Sequence, residues 1–420
     1  MKSIWETTLK TEKKQYNALK ENIKRDVVVV GGGMAGVLTA FHLAEKGLKV
    51  TLIEAERLGS GVTSKTTAHI NAQQGYIYYH LKKSKSIKYA KLYLESQLQA
   101  IDLYEKIIKE QGIDCEFERV DDYFFTIKNC QKLKKLYKIL NEINANVEYF
   151  ENKSILGFNT KGVIKASGQA VFHPLEFLVQ LKKDFEIFEN TRIVKIDMDK
   201  KILFTKDHQI IANKIIIATN YPIVKLKGAY FLKLYKSHSY VASTKKNKNA
   251  LKSTYHSDVE NGFTFRDFNS QVIIGRLDHR TGRVNSSEKK ERLEDVSKKY
   301  FNSEITNFWD ANDVVTYDGL PIVGKFSEKY KDIYIITGFN KWGMANSMAS
   351  SVLITNLISG QKNEFEEIFS PQRFNFSFKA FLSNIFVSLK NLLFMPLIPS
   401  FQSYNYEDFL IRNYYTSTCR

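Results

Sequence analysis

At 420 residues, with 43% hydrophobic and 25% charged side chains, the chain is ordinary for a globular protein but long for one compact core, so two domains, sequential or intertwined, are expected. Its three cysteines (Cys115, Cys130 and Cys419) form no CxxC or Cys/His cluster, which argues against a disulfide framework and against a zinc or iron–sulfur site. The net charge of +17 comes from 50 Lys and only 12 Arg, whereas bidentate recognition of phosphates and bases favours arginine, so no nucleic-acid partner is expected.

The chain begins "MKSIWETTLKTEKK", charged where a signal peptide needs an apolar core, and no apolar run is long enough to span a bilayer. A cytoplasmic location is the expectation. Residues 27–30 are four consecutive valines, the mark of a strand buried on both faces. A helix is expected from Met34 to about Lys46, stopped by Gly47, and "KVTLIE" (49–54) is a second strand. Apolar residues at 87, 90, 94, 98, 101, 104 and 108 predict a long amphipathic helix to about Gln111. A strand in "RVDDYFFTIK", a helix near 130–142 and a Pro174-initiated helix follow.

"NKIIIATNYP" (213–222) reads as another buried strand. Residues 229–275 alternate apolar and polar as a half-exposed antiparallel sheet does. "DIYIITGFNKWGMANSMASSVLITNLISG" (332–360) is strand, glycine loop and long helix. The fold class is therefore α/β (α+β overall), a discontinuous Rossmann-like dinucleotide domain with an interleaved substrate domain. The boundaries drawn are 1–80, 150–225 and 315–370 for the first and 81–149 and 226–314 for the second. Residues 371–420 are expected to be a C-terminal amphipathic helix and tail.

Gly31-x-Gly33-x-x-Gly36 follows a strand, opens a helix and is trailed by Glu54 at the end of the next strand. Gly31 permits the sharp turn, Gly33 lets backbone amides reach a pyrophosphate, and Gly36 lets the helix pack on the sheet. Met34 and Ala35 lie in the first turn, whose partial positive charge faces the phosphates. Glu54 is placed to accept from a ribose diol and would repel a 2′-phosphate. The pattern alone admits either FAD or NAD. There is no second glycine fingerprint and no CxxxxC redox pair.

The ordered motifs "VVVVGGGMAGVLTAFHL", "LGSGVTSKTTAHINAQQGYIY", "GQAVFHPLEFL", "IIIATNYP", "VTYDGLPIVG" and "TGFNKWGMANSMA" resemble the D-amino-acid oxidase/glycine oxidase superfamily of FAD-dependent oxidoreductases. The branch resembled most is the gamma-glutamylputrescine-oxidase or sarcosine-oxidase type, over "SIWE" to about Pro371. The resemblance implies FAD as cofactor, a small amine or amino acid as substrate, and oxygen or another electron acceptor. It places Gly31, Gly33, Gly36 and Glu54 on the ADP half. Ser60, Gly61, Thr63, Thr66 and Thr67 would run toward the flavin, with the backbone of Val194 at the adenine and Thr219 beside it. Gly338, Phe339, Asn340, Gly343 and Met344 would present amides to the pyrimidine edge of the flavin. Reduced flavin is negative there, which fixed N–H dipoles stabilise.

The implied chemistry is hydride transfer from an amine-bearing carbon to flavin N5, and the resulting imine hydrolyses. Positioning is the main task, and no Ser/His/Asp triad is expected. Arg266 in "FTFRDF" is the first candidate for a substrate carboxylate, against the alternative of an arginine on an alternating strand; Arg276 and Lys341 are further candidates. Sarcosine-oxidase relatives carry a lysine where this chain has Ala345, a departure from their carboxylate clamp. His69 is expected near the flavin as a noncovalent polar contact, although some relatives attach FAD through a histidine here. Tyr76, Tyr78 and Tyr79 read as packing.

Members of this branch often continue into a Rieske domain, but the chain after "FSPQRFN" has no Cys-x-His or Cys-x-x-His pair. Segment 374–394 reads instead as an amphipathic helix that docks on its own body, with a partner or membrane surface as the alternative. Oxidation of a 2-hydroxy acid, and a flavin-binding remnant without turnover, are the other readings of the same scaffold.

Overall fold

The computed structural model describes residues 2–224, 227–246, 251–258, 262–281 and 286–373, so the amphipathic segment expected at 374–394 lies outside the described residues. Two large sheets divide most of the chain between them. In the first, parallel strands run in the order Glu186–Phe188, Val50–Ile53, Ile23–Val30, Gln209–Ile217 and Ile333–Thr337. Val27 to Val30 pair with Val50 to Ile53 on one side and with Lys214 to Ile217 on the other. Val27 and Val29 enter one apolar cluster and Val28 and Val30 another, so the valine run buries both faces. The helices Met34–Glu45 and Gly343–Ile358 pack on each other over the first face, and Ile87–Gln111 crosses the second of them.

The second sheet is nine-stranded and almost wholly antiparallel. Its order is Ile305–Thr316, Leu234–Thr244, Gln271–Arg280, Phe263–Phe268, Ser253–Ser257, Glu118–Thr126 and Gly162–Val171. The far side of Gly162–Val171 takes Val147–Glu151 at one end and His69–Ile70 at the other. The block 150–225, drawn above as dinucleotide domain, is thus split: Gly162–Val171 belongs to this sheet, because its partner is Glu118–Thr126. The polar helix Ser286–Phe301, which the sequence reading passed over, lays Leu293, Val296 and Phe301 on the same sheet.

One connection ties the sheets together. Four successive carbonyls, from Lys65 to Ala68, accept from side chains of distant elements. Trp309 Nε1 donates to Lys65 at 3.0 Å and Trp5 Nε1 to Thr66 at 2.6 Å. Arg266 Nη1 donates to Thr67 at 3.2 Å and to Ala68 at 2.8 Å.

Candidate active site

The first strand ends at Val30, and the backbone turns at Gly31 with a φ of 113°, where a Cβ would stand 2.5 Å from the Ala218 carbonyl oxygen. The Ala218 amide donates to Val30 O at 2.8 Å, which brings Thr219 beside the turn; its hydroxyl donates to Tyr221 O. Gly36 meets the turn from the helix, since a Cβ there would lie 1.9 Å from Gly31 O. Gly33 is different: the nearest atom to its Cβ position is Thr63 Oγ1 at 3.4 Å, so the space over it is open. The Met34 amide donates to that same hydroxyl at 3.0 Å, with Ala35 half-buried next to it.

Glu54 follows the second strand, Val50–Ile53, and accepts from the amides of Gly32 at 2.5 Å and Glu56 at 2.8 Å. Burial raises its carboxyl above the usual range, against the pull of those two amides. Ser60 and Gly61 lead into the short turn Val62–Ser64 that carries Thr63. Thr66 Oγ1 accepts from the Ala68 amide, and the Thr67 methyl lies over Gly275 of the second sheet. Val194 sits in a hairpin: its amide donates to Phe204 O at 2.8 Å and its side chain is 51% exposed. The amide of the buried Ile193 next to it has no acceptor among the described residues.

At the end of the last parallel strand, Gly338, Asn340 and Lys341 all have positive φ (73°, 52° and 72°). Asn340 staples this loop, accepting from Thr316 N at 2.8 Å and donating to Gly338 O at 2.8 Å, while Phe339 packs on the core. Gly343 opens the long helix, and the Met344 carbonyl accepts from Tyr104 OH at 3.0 Å. The first-turn amides there have no partner within the helix.

Between this loop and the second sheet lies a cavity of about 270 Å³, lined among others by His69, Tyr76, His256, Arg276, Lys341 and Gly343. Arg266 is not part of it. Its guanidinium, 2% exposed, donates to the carbonyls of Thr67, Ala68, Phe172 and Asp267 and lies over the Trp5 ring, so it cannot turn to a substrate. Arg276 lines the cavity instead. The strand pairing slips between His238 and Tyr240, and Arg276 and Leu277 have φ of 101° and 56°, a bulge that re-aims the side chain. Arg276 Nη1 donates to Ser257 O at 2.5 Å and Nε faces Asp278 at 3.4 Å. Lys341 lines the cavity but is held by Asp278 at 2.6 Å and Ser239 at 2.9 Å.

Comparison with known proteins decides the family. The DAO family, described as FAD dependent oxidoreductase, matches residues 26–357. The chain belongs to it. The Bacillus subtilis protein YhfW, named as a Rieske 2Fe-2S iron-sulfur protein, is 30% identical over 391 residues, covering 89% of this chain and 76% of that one. The Escherichia coli gamma-glutamylputrescine oxidoreductase is 29% identical over 140 residues, 33% of this chain and 32% of the relative. In structure the chain resembles glycine oxidase from Geobacillus kaustophilus, with a TM-score of 0.72 and 19% identity over 84% of this chain and 99% of that one, a likeness of fold.

The cofactor of the DAO family is FAD, and this chain's residues fit it. The turn at Gly31 and the contact at Gly36 bring strand and helix together, while the space over Gly33 that a side chain would enter is clear. Among the described residues no helix is long and apolar enough to cross a membrane.

The cavity of this DAO-family chain also holds charged groups that the sequence reading missed. Burial works to raise the Asp278 carboxyl, and Lys341 and Arg276 more than offset it. Burial pushes the Asp313 carboxyl up to about 6, against the pull of Lys341. Tyr76 OH donates to Asp258 Oδ2 at 2.9 Å, so Tyr76 is a lining residue, while Tyr78 is buried and Tyr79 packs on the core. Fully buried Asp122 accepts from Thr254 Oγ1 at 2.6 Å and Asn71 Nδ2 at 2.8 Å, and lies 3.2 Å from His256 Nδ1. Strand alternation puts Thr254 and His256 on one face, and Asp122 and Phe124 on one face. Nothing in the sequence says that these faces meet.

Proposed function

We propose that this DAO-family protein oxidises a small amine or amino acid. The observation that carries the reading is the cavity, which opens on His69, on Gly343 at a helix N-terminus, and on Arg276, whose Nη2 has no partner among the described residues. Gly31, Gly33, Met34, Ala35 and Gly36 would hold the pyrophosphate and Glu54 the ribose. The segment Ser60, Gly61, Thr63, Thr66 and Thr67 would lie along the cofactor, with Thr219 near its adenine half. Ile193, whose amide has no acceptor among the described residues, would contact the adenine beside Val194. Phe339, Asn340 and Gly338 would shape the loop that directs the first-turn amides of Gly343 and Met344 at the pyrimidine edge, and His69 would make a noncovalent contact.

Bound FAD supplies a two-electron acceptor for the carbon–hydrogen bond beside the amine. Arg276 would orient that bond by gripping a carboxylate, since a guanidinium fork matches its two oxygens. Oxygen or another acceptor would restore the oxidised cofactor. The test is the visible absorption spectrum of the purified protein, followed anaerobically with glycine, L-proline and gamma-glutamylputrescine. Flavin bands that bleach with one of them are expected. A protein that stays colourless after incubation with FAD, or keeps its colour with every amine, would sink the reading. Arg276→Gln should raise KM for amino acids about 100-fold, the loss of a charge-assisted pair worth roughly 2–3 kcal/mol, and barely change KM for a carboxylate-free amine.

A further inference from the structure

We propose that His256 accepts the ammonium proton of the substrate, with Asp122 as its positioning residue. This rests on the amine reading above. An amine reaches the site chiefly as the ammonium at neutral pH, and until a proton leaves, the nitrogen has no electron pair to form a C=N bond. The cavity has two imidazoles that could take that proton, and their surroundings separate them.

Around Asp122, the donors Thr254 Oγ1 and Asn71 Nδ2 converge at 2.6 and 2.8 Å, so the carboxylate acts as an acceptor. Facing that same oxygen, Asp122 Oδ1, at 3.3 Å, His256 Nδ1 is the donor, and in the neutral ring the lone pair then sits on Nε2. Nε2 is buried and has no partner among the described residues. The ring is fixed by stacking on Phe124, with centroids 4.6 Å apart, and by the edge of Trp342 at 5.3 Å. Trp342 immediately precedes Gly343, so the ring is set against the loop expected at the flavin.

Among the described residues His69 Nε2 is also buried and unpartnered, but no carboxylate faces that ring, and burial, Arg266 and His256 all work against a charge on it. The cavity is also lined by Lys65, His69 and Tyr76 of the N-terminal segment, Asp258, Arg276 and Asp278 of the sheet, Asp313 of the Ile305–Thr316 strand and Lys341 of the late loop. Lys341 and Arg276 are each engaged by Asp278. Of these groups only His256 combines an unpartnered acceptor atom with a buried carboxylate behind it. In the step itself the ammonium N–H bond breaks, its electron pair stays on the amine nitrogen, and the proton bonds to Nε2. The positive charge moves onto the ring beside Asp122, and nothing is oxidised or reduced.

The test is the anaerobic rate of flavin reduction across a pH series, using whichever of glycine, L-proline and gamma-glutamylputrescine bleaches wild type fastest. His256→Gln should slow reduction about 100-fold at neutral pH, with the loss shrinking as alkaline pH delivers amine already deprotonated. Asp122→Asn should show a smaller loss with the same trend, and Asp313→Asn should not show it. A loss equal at every pH marks a structural role and overturns the proposal while leaving the amine reading intact. No bleaching of wild type by any probe overturns both. Nitrogen NMR of the wild-type histidines decides the matter even if the variants do not fold: His256 must carry its proton on Nδ1 with Nε2 bare, and the opposite tautomer refutes the assignment.

Discussion

Gly33 and Gly36 stand three residues apart in one motif, yet their surroundings predict different failures. A Cβ at Gly33 meets nothing closer than Thr63 Oγ1 at 3.4 Å, so Gly33→Val should leave the apoprotein's melting temperature nearly unchanged and abolish FAD retention. A Cβ at Gly36 meets a backbone carbonyl at 1.9 Å, which cannot move without parting helix from strand. Gly36→Ala should cost about 3 kcal/mol of stability, read by denaturant unfolding of the apoprotein. Both roles were legible because a turn and a close approach each demand glycine at a set spacing. The arginines were not legible in this way. Arg266 and Arg276 look alike in sequence, and only a bulge with two positive φ values aims the second into the cavity.

His173 shows how one buried residue sets a pH limit. It caps the Pro174–Gln180 helix through Nδ1, which accepts from the Glu176 amide, while Nε2 meets Thr8 Oγ1 at 3.2 Å. Burial lowers its pKa from 6.5 to about 4. A base with a depressed folded pKa contributes stability above its unfolded value and loses it as pH falls through the folded one. His173 should therefore cost roughly 3 kcal/mol between pH 6.5 and 4. In His173→Asn, which keeps a capping side chain, the fall in denaturation midpoint over that interval should be visibly smaller.

Among elements, the connection Lys65–Ala68 ties together distant parts of the chain. Its four carbonyls are held by Trp309, Trp5 and Arg266, from three elements far apart in the chain. Arg266→Met would keep most of the side-chain volume but leave several carbonyls without a donor. We expect a loss of roughly 3–5 kcal/mol in the apoprotein, with thermal unfolding as the readout, and no selective effect on carboxylate substrates in whatever folds. The sequence revealed the elements better than their partners. The helix Ile87–Gln111 and the strand at Val27–Val30 follow directly from apolar period. Gly162–Val171 lies in the block drawn as dinucleotide domain yet pairs with Glu118–Thr126, since a strand's choice of neighbour leaves no local pattern. The helix Ser286–Phe301 escaped because its few apolar residues sit in a highly charged run.

At the scale of the whole molecule, neither sheet is made from a continuous piece of chain. The parallel sheet draws strands from residues 23 to 337, and the nine-stranded sheet from residues 69 to 316. The discontinuity could be foreseen from glycine-loop motifs at both ends of the chain. The interleaving could not, since contact across hundreds of residues leaves no local pattern. A fragment ending at residue 225 contains the first glycine motif and Glu54 but lacks Ile333–Thr337, the neighbour of Gln209–Ile217. It should show no cooperative urea transition and hold no FAD, and a fragment that did either would mean the first sheet is autonomous.

The same threading sets an order of events on the ribosome. Ala218 must have emerged before the turn at Gly31 meets its neighbour, and Gly343 must follow before the helix over the cavity can begin. A chain halted after Ala218 but short of Thr316 carries parts of both sheets and the whole of neither. Domains usually fold as units, the N-terminal one first, but here that order is closed off. The candidate flavin site is therefore complete only once Gly343 has followed Ala218 out of the ribosome, and a cofactor held there must wait for both.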